Sequence, residues 1–154
     1  MRKVRHANQT ARCLIGRAEG FSLTAYQDSV GIWTIGWGTT RINGKPVTRG
    51  MRITKEQAVD YFNHDIFEVE AYVTSLVKVP LTENQFSALV SLVFNIGNGA
   101  FKKSTILRKI NAGNYDGAAN EFDRWVYAGG VVLKGLVTRR SKEKELFLTP
   151  DGYE

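Results

Sequence analysis

Cysteine, histidine and proline are all scarce in this 154-residue chain, which has one, two and three of them. A single cysteine, Cys13, excludes an intrachain disulfide, so the fold must be stable without oxidation. The histidines and Cys13 show no clustered ligand spacing, which argues against a zinc amidase. No repeat, low-complexity tract or Pro/Ser linker is present, and the length fits one domain over residues 1–154.

Long apolar runs are also absent. None approaches the roughly 18 residues of a membrane span, so no stable membrane insertion is expected. The N-terminal segment is basic, but Leu14-Ile15 is its only strongly apolar pair and Arg17 follows. This composition predicts no secretory signal.

Acidic residues are outnumbered, 15 against 21 lysines and arginines, which gives a formal net charge of +6. The basic residues gather near the start, from Arg2 to Arg17, and near the end, from Lys134 to Lys144. A basic surface favours nucleic acid, anionic lipid or an acidic cell-wall polymer as partner, and charge alone does not choose among them. A nucleic-acid-binding module has no recognised motif here, and specific binding with a steep salt dependence would test for it.

Apolar spacing predicts an α+β chain. A first helix within residues 1–20 is indicated by apolar residues at i, i+3, i+4 and i+7, namely Ala11, Leu14, Ile15 and Ala18. Asn8 or Thr10 is the predicted N-cap, and Gly20 the stop. Residues 21–53 change character, with strand-favouring residues around Trp33–Trp37 and a turn signal at Asn43-Gly44. They predict a small antiparallel sheet.

Helical patterns return after residue 53. Thr54 and Gln57 form a capping-box pattern that begins a predicted helix over 54–79, about 35 Å long and enough to join two lobes. A second box at Thr82 and Gln85 opens the helical lobe, residues 80–154. Its shorter helices are predicted around 104–111, 115–126 and 137–147. The dipeptides Asn98-Gly99 and Gly129-Gly130 are interpreted as turns, the latter also as a flexible cleft edge.

Two carboxylates, Glu19 and Asp28, flank the start of the predicted sheet. Glycoside cleavage needs a proton donor and a second carboxylate that activates water or stabilises the transition state. Glu19 ends a helix, where the negative end of the dipole opposes ionisation and favours an acid role. Asp28 lies in a Ser/Gly turn, where solvent and donors favour the ionised form. Taken alone, the pair is also compatible with two ordinary surface acids.

The wider segment resembles the phage T4-type lysozyme family, glycoside hydrolase family 24, and within it the P22-like lysozymes. The family pattern is Glu, eight residues, Asp, five residues, Thr, and a Gly-rich Thr-Ile-Gly-x-Gly turn. Glu19, Asp28 and Thr34 match these spacings. The resemblance extends over nearly the whole chain, through the segments at 79–89, 94–97, 104–107 and 125–148. One departure is Thr39-Thr40 after Gly38, where many relatives have histidine; a possible structural ion pair is lost.

This resemblance implies site roles. Glu19 is expected to be the general acid, while Asp28 and Thr34 position and activate the attacking water in the inverting scheme usually drawn for the family. Three further residues are expected on the substrate-binding side of the site: Tyr26, Asn95 and Arg139. Asn95 stands where the family has a cleft amide. Arg139 stands where an arginine pairs with the catalytic glutamate, and Arg140 is the alternative one residue on. A cation beside Glu19 favours its ionised form and so opposes the effect of the helix dipole.

The resemblance also implies a two-lobed lysozyme fold, with a small sheet lobe and a helical C-terminal lobe joined by the long helix. The expected activity is hydrolysis of the β-1,4 bond between N-acetylmuramic acid and N-acetylglucosamine in bacterial peptidoglycan. No metal or organic cofactor is expected. The implied biology is host-cell lysis by a monomeric phage or prophage endolysin, which accumulates in the host cytoplasm and reaches the wall through a holin.

Alternatives remain at this point. A catalytically silent muramidase-like domain would bind peptidoglycan or a protein without cutting. A lytic transglycosylase can manage with one acid, so Asp28 and Thr34 favour hydrolysis. Cys13 with a histidine suggests a thiol peptidase, but its helical position is interpreted as a buried thiol. Core packing is favoured over sugar stacking for the other aromatic candidates: Trp33, Trp37 and Phe101.

Overall fold

Helices make up most of residues 3–153, the part of the chain that this computed structural model describes. Arg2, in the N-terminal basic group, and both ends of the predicted domain 1–154 therefore lie outside the described residues. The helices are α1 Gln9–Glu19, α2 Lys55–Leu76, α3 Glu83–Ile96, α4 Asn98–Lys102, α5 Thr105–Asn111, α6 Tyr115–Glu121 and α7 Lys134–Leu148, with a 3₁₀ turn at Phe122–Arg124. The strands are β1 Ser22–Gln27, β2 Trp33–Gly36, β3 Arg41–Ile42, β4 Lys45–Pro46, β5 Tyr127–Ala128 and β6 Val131–Val132.

Side-chain caps set the starts of α1, α2 and α3. Asn8 caps α1 by accepting a hydrogen bond from the Ala11 N–H. Thr54 and Thr82 begin α2 and α3 in complete capping boxes, each with a glutamine side chain accepting from the backbone N–H of the threonine. These bonds satisfy amides that have no partner inside the helix. Both capping boxes predicted from the sequence are confirmed.

The strands form three separate antiparallel hairpins, β1–β2, β3–β4 and β5–β6. The prediction of a single small sheet for residues 21–53 is therefore wrong in detail. That region contains two separate hairpins, which are linked to their surroundings by isolated bridges. Asn43 and Gly44 both have positive φ, at 51° and 78°, and make the predicted turn. Gly129 and Gly130 make the corresponding turn between β5 and β6.

The main hydrophobic core surrounds α3, which packs against α1, α2 and α7. Apolar residues occur on all sides of this helix, so it can contact three neighbours at once. Its fully buried members are Phe86, Ala88, Leu89, Val90, Leu92 and Val93. α2 spans 22 residues, about 33 Å, and joins the hairpins β1–β4 to the helical part, as predicted.

The C-terminal helices differ from the prediction at three places. Asn98-Gly99 does not form a turn but begins the short helix α4, because Gly97 with φ of 92° ends α3 and the chain resumes helical geometry directly. The predicted helix 115–126 is shorter, since α6 passes into a 3₁₀ turn before Trp125. α7 begins three residues earlier than predicted, at Lys134.

Candidate active site

Glu19 is the last residue of α1, and the chain turns immediately after it. Gly20 adopts a φ of 75° and donates its N–H to the Gly16 carbonyl, which ends the helix. The Glu19 side chain is only 20% exposed. Gly38, with φ of 85°, lies against it, and a methyl group there would sit 2.9 Å from Glu19 Oε1. The glycine therefore leaves the space that the carboxylate occupies.

Arg139, on α7, binds Glu19 across 120 positions of sequence. Its Nη1 donates to Glu19 Oε2 at 2.6 Å, and its side chain is 5% exposed. The other guanidinium nitrogens are also engaged: Nε donates to Glu143 Oε2 at 3.2 Å and Nη2 to the Ser91 carbonyl at 2.9 Å. Because three acceptors surround it, the guanidinium is fixed in orientation.

Arg140, the next residue of α7, points in a different direction from Arg139. It donates to the Glu143 carboxylate, to the Asn95 Oδ1 and, at 2.8 Å, to the Trp125 carbonyl. Burial lowers the pKa of Arg140, and the Glu143 charge is the largest influence that opposes this. Asn95 remains exposed at the end of α3 while its carbonyl oxygen is held by Arg140.

Tyr26 and Thr34 face each other across the β1–β2 hairpin. The Tyr26 hydroxyl lies 3.5 Å from the backbone oxygen of Glu19. Burial raises the pKa of Tyr26, and the charges of Glu19 and then Asp28 raise it further. Asp28 follows Tyr26 by two residues, and Tyr26 bonds to Glu19, so the hairpin brings Asp28 toward the end of α1.

Asp28 is oriented by the loop between β1 and β2. Its Oδ1 accepts from the N–H groups of Val30 and Ile32, both at 2.9 Å. The Thr34 hydroxyl donates to the carbonyl of Ile32 at 2.9 Å, which leaves its lone pairs available as acceptors. Within residues 3–153, no protein donor reaches Asp28 Oδ2. One carboxylate oxygen thus holds the loop while the other can accept a bond from water.

The structure groups five of the six predicted site residues closely. Glu19, Asp28, Thr34 and Tyr26 meet around the β1–β2 hairpin, and Arg139 joins them through Glu19. Asn95 is connected to them only indirectly, through successive hydrogen bonds that link it to Arg140, Glu143 and Arg139.

Three neighbours of the site were missed in the sequence: Gly38, Ser91 and Glu143. Of these, only Glu143 carries a usable signal, because it follows the two arginines by three and four residues and thus shares a helix face with them. Such spacing is more commonly seen in exposed ion pairs, whereas Glu143 is completely buried.

Cys13 is exposed, so the expectation of a buried thiol is wrong. The buried residues of α1 are Ala11 and Ile15, and a residue two positions from each points to the opposite side of the helix. Cys13 instead lines a groove of about 1010 Å³ between α1 and α7, with Arg17 and Lys142 among its lining residues.

The aromatic residues near the site pack mainly on each other. Trp37 lies between Phe21 and Phe62, with ring centroids 4.4 and 5.4 Å away. Phe101 is completely buried. Packing is therefore the observed role of Trp37 and Phe101, while Trp33 is half-buried opposite Gln27.

Within residues 3–153, no group of three or more potential metal-ligating side chains occurs. Over the same range, no helix combines the length and apolarity needed to cross a membrane.

Comparison with known proteins gives the site its context. The phage lysozyme family model matches residues 16–143. The chain is 47% identical to the endolysin of Salmonella phage P22, over 86% of this chain and 91% of that protein. It is 44% identical to an endolysin of Acyrthosiphon pisum secondary endosymbiont phage 1, over 92% and 97%. The structure of an endolysin from Escherichia coli O157:H7 phage FAHEc1 superposes with a TM-score of 0.85, at 41% identity and 96% coverage of both chains.

The chain therefore belongs to the phage lysozyme family, and its architecture is the α+β lysozyme fold. Its function is that of an endolysin-type lysozyme, which is a hydrolase that acts in host cell lysis.

Proposed function

We propose that this protein is an N-acetylmuramidase that hydrolyses the β-1,4 bond between N-acetylmuramic acid and N-acetylglucosamine in peptidoglycan. The observation that carries the proposal is the placement of two differently held carboxylates at the β1–β2 hairpin, with Glu19 just before β1 and Asp28 just after it. Glu19 is mostly buried and bound to one arginine, whereas Asp28 is held by two backbone amides in the loop between β1 and β2. Glycosidases divide acid and water-activating roles between two such groups.

Glu19 is assigned the general acid. Its carboxyl protonates the glycosidic oxygen as the bond to the leaving sugar breaks, and it becomes a carboxylate. Arg139 stabilises that carboxylate through the 2.6 Å contact at Oε2, so the charge formed on proton transfer has a partner already in place. Oε1 is the oxygen that lies against Gly38.

Asp28 and Thr34 are assigned to the attacking water. Asp28 Oδ2 accepts one proton of the water, and the Thr34 hydroxyl, which donates to Ile32, accepts a second hydrogen bond from it. The water oxygen attacks the anomeric carbon from the face opposite the leaving group, which inverts the configuration. Tyr26 and Asn95 are assigned to substrate contact beside these groups.

Product analysis tests the reaction. Purified peptidoglycan digested by the wild type should yield reducing muramic acid ends, first released as the α anomer and visible by proton NMR. Asp28→Asn and Glu19→Gln should each lower the initial rate by at least about 100-fold. Glu83→Gln, an exposed acid at the start of α3, is the matched control and should keep the wild-type rate.

Four other outcomes would overturn parts of this assignment. Anhydromuramic ends would indicate transglycosylation, and initial β anomers would indicate retention. Wall that binds the protein without any released ends would identify a silent binding domain. Equal clearing by wild type and Glu19→Gln would remove Glu19 from the acid role.

Access to the wall is proposed to need a separate membrane pore, with the protein held in the host cytoplasm until that pore opens. Expression in the host cytoplasm should leave culture turbidity unchanged until a holin is co-expressed. Lysis without a holin at the same protein level would contradict this route. Sedimentation of the purified protein at a mass of about 17.2 kDa would support the proposed monomer.

A further inference from the structure

Glu143 is a completely buried carboxylate that contacts both arginines of the site. Its Oε2 accepts from Arg139 Nε at 3.2 Å and from the Ser91 hydroxyl at 2.5 Å, while its Oε1 accepts from Arg140. Ser91 belongs to α3, whereas the other three residues belong to α7. A buried charge costs free energy unless it is paired, and this one is paired twice.

Each arginine extends from Glu143 toward a different part of the site. Arg139 reaches Glu19 with Nη1, and Arg140 reaches Asn95 with Nη2. Because one carboxylate binds both guanidinium groups, a displacement of Glu143 would move the partner of Glu19 and the partner of Asn95 together.

The charges of this group balance once Glu19 has given up its proton. Glu19 and Glu143 then carry two negative charges, and the arginines carry two positive charges. Two further titratable groups act near Glu19, namely Tyr26 and Asp28, both from the β1–β2 hairpin. Without Glu143 the buried group would carry one more positive charge, which would reduce the fraction of Glu19 that still holds the proton it must donate.

We propose that Glu143 is a positioning residue for the reaction, which orients Arg139 on the general acid and Arg140 on Asn95 and offsets one of the two arginine charges. This inference rests on the proposed function, because it requires Glu19 to act as the acid. Glu143 does not touch substrate, and its effect passes through the two arginines.

Glu143→Gln is the principal test, since it keeps the shape of the side chain and removes the charge. We expect kcat to fall about 10-fold to 100-fold, as for other displacements of a catalytic group by around 1 Å. We also expect the alkaline limb of the pH–kcat profile to move to lower pH by about half a unit or more, because the excess positive charge favours ionised Glu19. Activity is measured on soluble glycan at a temperature where circular dichroism shows each variant folded.

Glu121→Gln is the matched control. Glu121 is also a buried glutamate with two cationic partners, Lys109 at 2.9 Å and Arg124 at 3.5 Å, and none of its contacts leads to Glu19. The control should lower the unfolding temperature while kcat stays within twofold of the wild type and the alkaline limb keeps its position. An equal shift of the limb in both variants would overturn the proposal, as would a folded Glu143→Gln with wild-type kcat and limb.

Glu143→Asp keeps the test decisive if the glutamine variant does not fold. The shorter side chain retains the charge but cannot reach both arginines equally, so kcat should fall while the limb stays in place. Wild-type kcat in this variant would overturn the proposal. Glu19→Gln separates the two ideas: if it retains activity the acid assignment fails, whereas an inactive Glu19→Gln beside a normal Glu143→Gln removes only the positioning role.

Discussion

Gly38 shows how a single missing side chain shapes the site. It combines a φ of 85° with direct contact against the Glu19 carboxylate. Any side chain at this position meets both backbone strain and the acid. The site therefore depends on an absence of atoms at residue 38 as much as on the charged groups around it.

Gly38→Ala should lower kcat by about 10-fold or more, because the new methyl group displaces the Glu19 carboxylate. It should also lower the free energy of unfolding by about 1–2 kcal/mol, from the positive φ. Gly44→Ala is the control, since Gly44 has a φ of 78° and nothing within 4 Å of the added methyl. The control should lose similar stability in urea denaturation and keep its activity; an equal loss of activity would contradict the steric argument.

Asp65, on α2, is a partly buried carboxylate beside Thr39. It accepts a hydrogen bond from the Thr39 hydroxyl at 2.7 Å. Burial raises the pKa of Asp65 to about 6, while the Thr39 bond partly offsets that rise. The folded protein therefore binds a proton at Asp65 more tightly than the unfolded chain does, whose value is near 3.8.

The tighter proton binding at Asp65 stabilises the folded protein. This contribution to the free energy of unfolding should be fully present below about pH 4 and lost as the pH rises through about 6. Asp65→Asn removes this dependence. Between pH 4 and pH 7, the free energy of unfolding of the variant should therefore rise relative to that of the wild type by on the order of 1–2 kcal/mol, after allowance for partial exposure. Urea denaturation at four pH values measures it, with the exposed Asp60→Asn as control. Parallel curves for wild type and Asp65→Asn would contradict the assignment.

At the scale of elements, α3 passes through the core and contributes two residues that contact the buried arginines. Its start is fixed by the capping box at Thr82, its middle contributes Ser91, and its end carries Asn95. Thr82→Ala should cost about 1 kcal/mol of unfolding free energy, because the Gln85 amide loses its acceptor. Thr10→Ala, an exposed threonine inside α1, should change stability by less than half as much in the same urea titration.

The elements that the sequence predicted are those whose patterns are local. α1, α2 and α3 follow from apolar spacing and caps, and the Asn43-Gly44 turn from its dipeptide. α7 was placed only approximately, because it turns Arg139, Arg140 and Glu143 inward, and a buried ionic face does not appear as apolar periodicity. The separation of the strands into three hairpins depends on tertiary contacts, which periodicity does not encode.

The site was predictable to a similar limit. The spacing of Glu19, Asp28 and Thr34 is local and matches a family pattern. The pairing of Glu19 with Arg139 rather than Arg140 could not follow from spacing, since adjacent residues on a helix point about 100° apart and only packing selects one. Glu143 and Ser91 are buried partners from two helices, and their meeting is a property of the packed core.

For the whole molecule, the charge of +6 should act on binding to the wall and not on the chemical step. Anionic wall polymers attract a basic protein, and salt screens that attraction within about 10 Å at 0.1 M ionic strength. Activity on intact peptidoglycan should fall several-fold between low and high salt, while activity on a short soluble glycan stays within about twofold. Equal salt dependence on both substrates would show that the charge acts inside the site.

The ion pair between Glu19 and Arg139 has a consequence for synthesis. Its partners lie 120 positions apart, one from the first helix and one from the last. A chain emerging from the ribosome, at about 5–20 residues per second, exposes Glu19 many seconds before α7 exists. Any chain truncated before α7 lacks Arg139, Arg140 and Glu143 together. Translation itself therefore times the appearance of a complete site, and abortive products are left without it.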